Sequence, residues 1–180
     1  MIVLDTETTG LLKPSASDID EQPRITEIYA CKVDRDFNFI SEINTLVNPM
    51  VPIPEDVVEM TGITDEMVAN APTFPLIYDE LCDFFLGEEI AVAHNASYDM
   101  NVIRWELTRY GKEIHFPWPR RHICTVEDSF VIKNKRLNLS KLHEMATGRP
   151  HDQGAHRAKH DVMALVRCFN WLVEEGYTKL

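Results

Sequence analysis

Two acidic side chains close the first apolar strand of the sequence, and their spacing places them on one face. The strand covers residues 2–7 and reads Ile-Val-Leu-Asp-Thr-Glu, so Asp5 and Glu7 stand two positions apart. Side chains alternate between the faces of a strand, and two carboxylates beside an apolar run should repel each other. A divalent cation between them would remove that cost, because hard cations prefer carboxylate oxygens. This segment alone leaves open an edge strand whose acids face water.

A third acid, Asp99, stands where a buried strand passes into a helix. The segment His94-Asn95-Ala96-Ser97-Tyr98-Asp99 follows directly on the apolar strand predicted over residues 89–93. If that strand lies parallel beside the first, Asp99 reaches Asp5 and Glu7 at the carboxyl end of the sheet, where α/β folds bind ligands. An acid in a first helical turn also complements the helix dipole, which is the structural alternative.

A fourth acid and a histidine open the last helix, within Ala155-His156-Arg157-Ala158-Lys159-His160-Asp161-Val162. Asp161 precedes an apolar stripe that begins at Val162, so its side chain should point inward. A single histidine is more often structural or exposed. Because His156 stands five residues from an inward acid, in a chain with three other converging carboxylates, it is a candidate member of the same site.

The elements that must position these residues follow an α/β order. Beyond the two strands above, we predict strands over 25–33 and 39–47 joined by a polar hairpin connection, and loops over 11–23 and around Pro49, Pro52 and Pro54. Helices are predicted over 65–70, 73–86, 97–110, 124–132, 138–146 and 157–175, with Thr64 and Thr73 as N-caps of the first two. Three strands, helices, a strand and further helices indicate one α/β domain over residues 1–180, with a meander at one sheet edge and a crossover to its centre.

Composition indicates a globular protein of the cytoplasm, with no membrane association. Hydrophobic residues make up 44% and charged residues 26% of the 180 residues. No apolar run approaches the ~20 residues that span a bilayer, and the first residues lack a basic export signal. The four cysteines lie far apart without a CxxC spacing, so we expect reduced thiols rather than zinc ligands or disulfides.

The net charge of −11 hides an asymmetry between the two parts of the chain. Residues 1–99 hold 4 Lys/Arg and 20 Asp/Glu, whereas residues 100–180 hold 14 Lys/Arg and 9 Asp/Glu. Such a division suggests that the basic part faces a polyanion, although solvated helix faces would give the same count. An acidic total suits an enzyme that takes one strand end and releases it, and suits a tight duplex binder poorly.

Together, the three motifs resemble those of the DEDDh exonucleases, the DnaQ-like family that includes the epsilon subunit of bacterial DNA polymerase III, ribonuclease T and oligoribonuclease. The matching segments are Asp5-Thr6-Glu7-Thr8-Thr9-Gly10, His94-Asn95-x-x-x-Asp99, His156-x-x-x-x-Asp161 and, after the third strand, Met60-Thr61-Gly62-Ile63-Thr64. The resemblance runs from residue 2 to about residue 172. It implies a ribonuclease H-like fold, a five-stranded mixed sheet flanked by helices, with its fifth strand near residues 121–125.

The resemblance also implies a role for each matching residue. Asp5, Glu7, Asp99 and Asp161 would bind two divalent cations, Mg²⁺ or Mn²⁺, and His156 would be the general base. Asp5 would bridge both ions, Glu7 and Asp161 would complete the first, and Asp99 would support the second. Candidate substrate contacts are Thr6, Glu55, Met60, Thr61, Ile63, His94 and Asn95. Among these, Glu55 and Thr61 would lie near the terminal nucleotide, and Met60 and Ile63 would give an apolar floor for its base or sugar.

The function expected from this resemblance is a metal-dependent 3′→5′ exonuclease that releases nucleoside 5′-monophosphates from single-stranded DNA. An oligoribonuclease-like exoribonuclease and a polymerase-associated proofreading subunit are the alternatives, and contact with a polymerase or a second copy stays open. Because the chain ends soon after its last core helix, we expect a stand-alone enzyme. A binding module without catalysis should have lost at least one of the five catalytic positions, and all five are present. A calcium-binding structural protein would need an EF-hand acidic loop, which the sequence lacks.

Overall fold

The fold is built on one mixed sheet of five strands in the order β3-β2-β1-β4-β5. The computed structural model of the protein describes residues 1–15, 18–151 and 157–180. The strands are β1 (Ile2–Thr8), β2 (Ile25–Val33), β3 (Phe39–Leu46), β4 (Ile90–Ala93) and β5 (Arg121–Cys124). β1, β2 and β3 form an antiparallel meander, and β4 and β5 run parallel to β1. The predicted ribonuclease H-like architecture is confirmed, including the fifth strand and the parallel pairing of β4 with β1.

Helices cover both faces of this sheet, in positions close to those expected from the sequence. They are α1 (Glu55–Thr61), α2 (Asp65–Val68), α3 (Phe74–Phe85), α4 (Ala96–Arg109), α5 (Thr125–Lys133), α6 (Leu139–Thr147) and α7 (Ala158–Glu174). Thr64 caps α2 by accepting a hydrogen bond from the Met67 N–H, whereas Thr73 occupies the N-cap position of α3 without a side-chain bond. None of the helices in the described ranges is long and apolar enough to cross a membrane.

Two segments predicted as loops contain helical turns. α1 begins directly after Pro54, because a proline can precede a helix and the acids of the first turn complement its dipole. Residues 19–21 form a 3₁₀ turn inside the expected 11–23 loop. The Arg109 guanidinium donates to the carbonyl oxygens of Ile19, Gln22 and Pro23, which holds that turn against α4.

Alternation along β1 divides the core between the two faces of the sheet. Ile2 and Leu4 pack in a cluster with residues of α3 and α4. Val3 packs in a second cluster with Val162 and Leu165 of α7. The side-chain row of Val3 therefore faces α7, and any residue that continues that row meets the beginning of this helix. All four cysteines are free, as expected.

Candidate active site

Asp5 and Glu7 continue the row of Val3 beyond the hydrophobic core. The same face meets α7, and Asp161 lies in the first turn of that helix. One carboxylate oxygen each from Asp5, Glu7 and Asp161 lie within 4.8 Å of one another. The structure therefore brings together three of the four acids expected to bind metal, on the face that the strand alternation predicted.

Asp99 reaches the cluster from α4, on the other side of β1. Its side chain is 2% exposed, and its Oδ1 accepts hydrogen bonds from the Thr6 N–H at 3.0 Å and the Thr6 hydroxyl at 2.8 Å. β1 pairs with β4 only through Ile2 and Val3, so the backbone beyond them has no ladder partner on that side. Asp99 fills this opening between the strands. Thr6 therefore orients a carboxylate, and its expected contact with substrate stays a prediction.

Burial and neighbouring charges raise the pKa values of three of these acids, Asp5, Glu7 and Asp99. Burial first, and then the charges of Asp99 and Glu7, hold the pKa of Asp5 well above its ordinary value. Burial and the Asp161 charge raise the pKa of Glu7 to about 8. Burial raises the pKa of Asp99 to about 7, against the hydrogen bonds from Thr6 that favour its ionised form. Without cations, the folded site therefore holds protons at neutral pH.

This donor set fits the divalent cations that the sequence indicates. All donors are carboxylate oxygens, the ligands that Mg²⁺ and Mn²⁺ prefer. A cluster of buried like charges that retains protons is relieved when a cation replaces those protons. Asp5, Glu7 and Asp161 can share one ion. Asp99 approaches β1 from α4, whereas Asp161 approaches it from α7.

A buried ion pair that the sequence did not reveal holds the beginning of α7. Glu27 on β2 stands opposite Glu7 in the β1–β2 ladder and is 1% exposed. Its carboxylate accepts from the Arg157 guanidinium, at 2.6 Å for the shortest bond, and from the Ala158 N–H at 3.0 Å. The Arg157 charge also opposes the rise in the pKa of Glu7. The sequence contains one sign of this pair: Glu27 is a single acid in a mainly apolar strand. An acid that is buried in this way needs a cation.

His156, the expected general base, lies outside the described residues. A different histidine, His151, contacts Asp161, with 2.6 Å between its Nε2 and the Asp161 Oδ1. Sequence reasoning missed His151, because its spacing from Asp161 has no fixed meaning until the path of the chain before α7 is known.

The candidate substrate contacts on α1 divide between surface and core. Glu55 and Met60 are exposed. Thr61 is buried, donating to the Val57 carbonyl at 2.9 Å and accepting from the Ile63 N–H at 3.1 Å. Ile63 is fully buried in a small cluster. The exposed Glu55 and Met60 can therefore meet a nucleotide, and the buried Thr61 and Ile63 shape the turn after α1. The predicted contacts of these four residues with the terminal nucleotide stay predictions.

His94 and Asn95 have structural positions at the end of β4. The His94 Nδ1 lies 2.9 Å from the Thr125 hydroxyl, and burial lowers the pKa of His94 to about 4. Its ring therefore links the β4 end to α5 in the neutral form. Asn95 is exposed and adopts a left-handed backbone conformation, with φ of 76°, immediately before α4. That conformation turns the chain sharply enough to place Asp99 over the strand end.

Comparisons with known proteins agree with this architecture. The family model described as exonuclease, of the RNase T type, matches residues 2–169. The PolC-type DNA polymerase III of Clostridium perfringens is 35% identical over 182 residues, covering 97% of this chain and 11% of that protein. The DNA polymerase III epsilon subunit of Treponema pallidum is 38% identical over 109 residues, covering 61% of this chain and 46% of that one. This chain thus spans less than half the length of either relative.

The structural comparison shows the same fold. The nuclease domain of 3′hExo, a DEDDh family member solved with bound rAMP, aligns with a TM-score of 0.75 and 15% identity. The alignment covers 97% of this chain and 92% of that domain. At this identity, the likeness supports the arrangement of strands and helices, and the chemistry must be argued from the site itself.

Proposed function

The chain belongs to the exonuclease family, and from that premise we propose that it is a 3′→5′ exonuclease of the DEDDh type that removes nucleoside 5′-monophosphates from the 3′ ends of single-stranded DNA. The observation that carries this proposal is the convergence of Asp5, Glu7, Asp99 and Asp161 from three separate segments. Phosphodiester hydrolysis requires an activated water and compensation for negative charge on the phosphate, and divalent cations held by these acids would supply both.

Each acid has a part in holding such cations. Asp5 is central, because its charge couples to both Asp99 and Glu7. Glu7 and Asp161 lie on its α7 side. The Thr6 hydroxyl and N–H fix the Asp99 carboxylate, and such outer contacts keep a ligand in its binding orientation.

His156 is the proposed general base for the attacking water. It directly precedes Arg157 in the chain, and Arg157 is bound to Glu27 opposite Glu7. The chain therefore enters α7 beside the carboxylates, which supports a histidine from this segment acting there. An ordinary imidazole pKa of about 6.5 suits a base that works near neutrality.

A basic cleft beside the site supports a polyanionic substrate. It is lined by Lys135, Arg136 and Lys141, together with Ser140 and Glu144. Lys141 forms an ion pair with Glu144, and Arg136 with Glu127, so the excess of positive charge is modest. The Ser140 hydroxyl donates to the His151 carbonyl oxygen at 3.0 Å, and His151 contacts Asp161. Ser140 and His151 thus connect the cleft to Asp161 through two contacts. Phosphates upstream of the cleaved bond could lie along the cleft. Binding through such contacts weakens as salt rises.

DNA is preferred to RNA in this proposal because the two relatives named above are DNA polymerase components. The rAMP bound to 3′hExo makes an RNA substrate the alternative. The same two relatives make a role in proofreading, with a polymerase as partner, an alternative to a stand-alone role.

One digestion experiment tests the proposal. Labelled single-stranded DNA, matching RNA, a very short RNA and a duplex with a mismatched 3′ end are each incubated with Mg²⁺, with Mn²⁺ and with chelator. We expect mononucleotides released from the 3′ end of single-stranded DNA, only with metal. Asp161→Asn should be inactive, and Glu174→Gln at the far end of α7 is the matched control. Hydrolysis in chelator, or shortening from the 5′ end, would contradict the proposal.

A further inference from the structure

Two histidines beside Asp161 supply a second set of metal-ligand atoms next to the carboxylate cluster. One atom each from His151, His160 and Asp161 lie within 4.8 Å of one another. The imidazole rings of His151 and His160 are 4.6 Å apart between centroids. Two imidazoles and one carboxylate form a donor set that suits Zn²⁺ and similar ions, with a fourth position left for water.

His151 is held in place before any ion binds. His151 is 8% exposed. Its carbonyl oxygen accepts a hydrogen bond from the Ser140 hydroxyl, and its ring centroid lies 5.7 Å from that of His143. His160 is exposed on α7, so an ion can reach the group from solvent. One fixed ligand and one accessible ligand keep the rearrangement on binding small.

The contact between His151 and Asp161 marks where an ion would enter. Their 2.6 Å separation is that of a short hydrogen bond. Ligand atoms about 2.0–2.2 Å from a tetrahedral zinc stand roughly 3.3 Å apart. An ion that replaces the shared hydrogen therefore requires the two side chains to separate by less than an ångström.

We propose that His151, His160 and Asp161 bind a borderline-soft divalent ion such as Zn²⁺, and that this ion inhibits the enzyme by holding Asp161 away from Asp5 and Glu7. Asp161 belongs to both groups of ligands. Nitrogen donors favour zinc over Mg²⁺ and Mn²⁺, whereas the carboxylate-only group suits the harder ions. The inhibitory part of this inference rests on the proposed function, and the binding part does not.

Zinc affinity of the full chain tests the binding part without measuring hydrolysis. Metal-free wild type, His160→Ala, Asp5→Asn and His115→Ala compete with a chromophoric chelator for Zn²⁺. His160 is exposed, so its loss should leave the fold intact, and His115 is an exposed histidine on another segment. We expect Asp5→Asn and His115→Ala to retain the wild-type affinity, and His160→Ala to lose at least about tenfold. Affinity lost in Asp5→Asn but kept in His160→Ala would place zinc among the carboxylates and overturn the inference.

Inhibition provides the second measurement. Micromolar Zn²⁺ is added to Mg²⁺-supported digestion of single-stranded DNA, and each variant is normalised to its own zinc-free rate. We expect the zinc concentration for half-inhibition to be at least about tenfold higher in His160→Ala than in wild type or His115→Ala. Equal sensitivity of all three would overturn the inhibitory part. A chain that binds zinc through His160 but digests no strand would support the site and contradict the proposed nuclease instead.

Discussion

Replacement of Arg157 by methionine should destabilise the fold, because it removes the ion-pair partner of the buried Glu27 carboxylate. The Glu27 side chain is 2% exposed, whereas that of Arg157 is 40% exposed. Methionine keeps much of the length of the arginine stem and removes the charge. The substitution therefore leaves the Glu27 carboxyl group buried without its cationic partner, with the Ala158 N–H as its remaining described hydrogen-bond donor.

The expected cost is about 3 kcal/mol. Breaking a buried ion pair by removing one partner typically costs about 3–5 kcal/mol. The lower end applies here, because the Ala158 N–H and the N-terminal dipole of α7 still favour the Glu27 charge. For a chain of this size, each kcal/mol lowers the melting temperature by about 2–4 °C, so we expect a fall of roughly 6–12 °C.

A double-mutant cycle followed by circular dichroism isolates the unpaired charge. Wild type, Arg157→Met, Glu27→Gln and the double variant are melted without metal. Glutamine retains an oxygen for the Ala158 N–H, so the double variant should be clearly more stable than Arg157→Met alone. Lys159→Met is the control: it breaks the neighbouring, more exposed pair with Glu42 and should cost about 1 kcal/mol or less. If the double variant melts no higher than Arg157→Met, the unpaired Glu27 charge is not the cause of the loss.

Four further outcomes follow from the site. Asp5→Ala should abolish hydrolysis in the digestion assay without lowering the metal-free melting temperature, because it removes a buried carboxyl group whose ionisation the folded site resists; a large fall would contradict this reasoning. Glu7 and Asp99 have folded pKa values of about 8 and about 7, above their unfolded values. The folded chain therefore binds more protons than the unfolded chain, and the stability that this gives, fully present below about pH 4, should be lost as the pH rises toward 8. Calorimetry should therefore show a larger gain from Mg²⁺ at pH 8.5 than at pH 6, and an equal gain would count against proton release. Thr6→Val should weaken Mg²⁺ binding by about 10–100-fold in titration calorimetry, through loss of the hydroxyl bond to Asp99; unchanged affinity would exclude that role. His156→Ala should retain metal binding and reduce the single-turnover rate by about 10²–10⁴-fold, and full activity would remove His156 from the mechanism.

The sequence predicts the parts of this site that depend on local periodicity. The two-residue spacing of Asp5 and Glu7 fixes their common face as soon as residues 2–7 form a strand. The apolar stripe that begins at Val162 directs Asp161 toward that same face. Parallel pairing of β4 with β1 then requires only the standard crossover of an α/β fold to bring Asp99 to the sheet edge.

What the sequence does not predict depends on distances between segments. The link from Thr6 to Asp99 exists because β1 and β4 stop pairing after Val3, and no local pattern records where two strands separate. Glu27 and Arg157 are 130 positions apart in the sequence and meet only when the chain has folded. The sequence does not predict α1 for a different reason. The three prolines before it favour a loop, and a seven-residue helix has too little periodicity to outweigh them.

Stability and function make opposite demands on the carboxyl end of β1, the central strand of the sheet. Elsewhere along the row that faces α7, the strand carries apolar residues such as Val3, and a fold selected only for stability would continue them. Instead, Asp5 and Glu7 occupy these positions, and their pKa values lie far above normal because the folded chain resists their ionisation. Glu27, a further buried acid on this face, is neutralised by Arg157. The chain thus supplies a cation for the acid that holds the beginning of α7, whereas Asp5, Glu7 and Asp99 keep raised pKa values. Divalent ions bound there would stabilise the folded chain at the same place that the proposed hydrolysis uses.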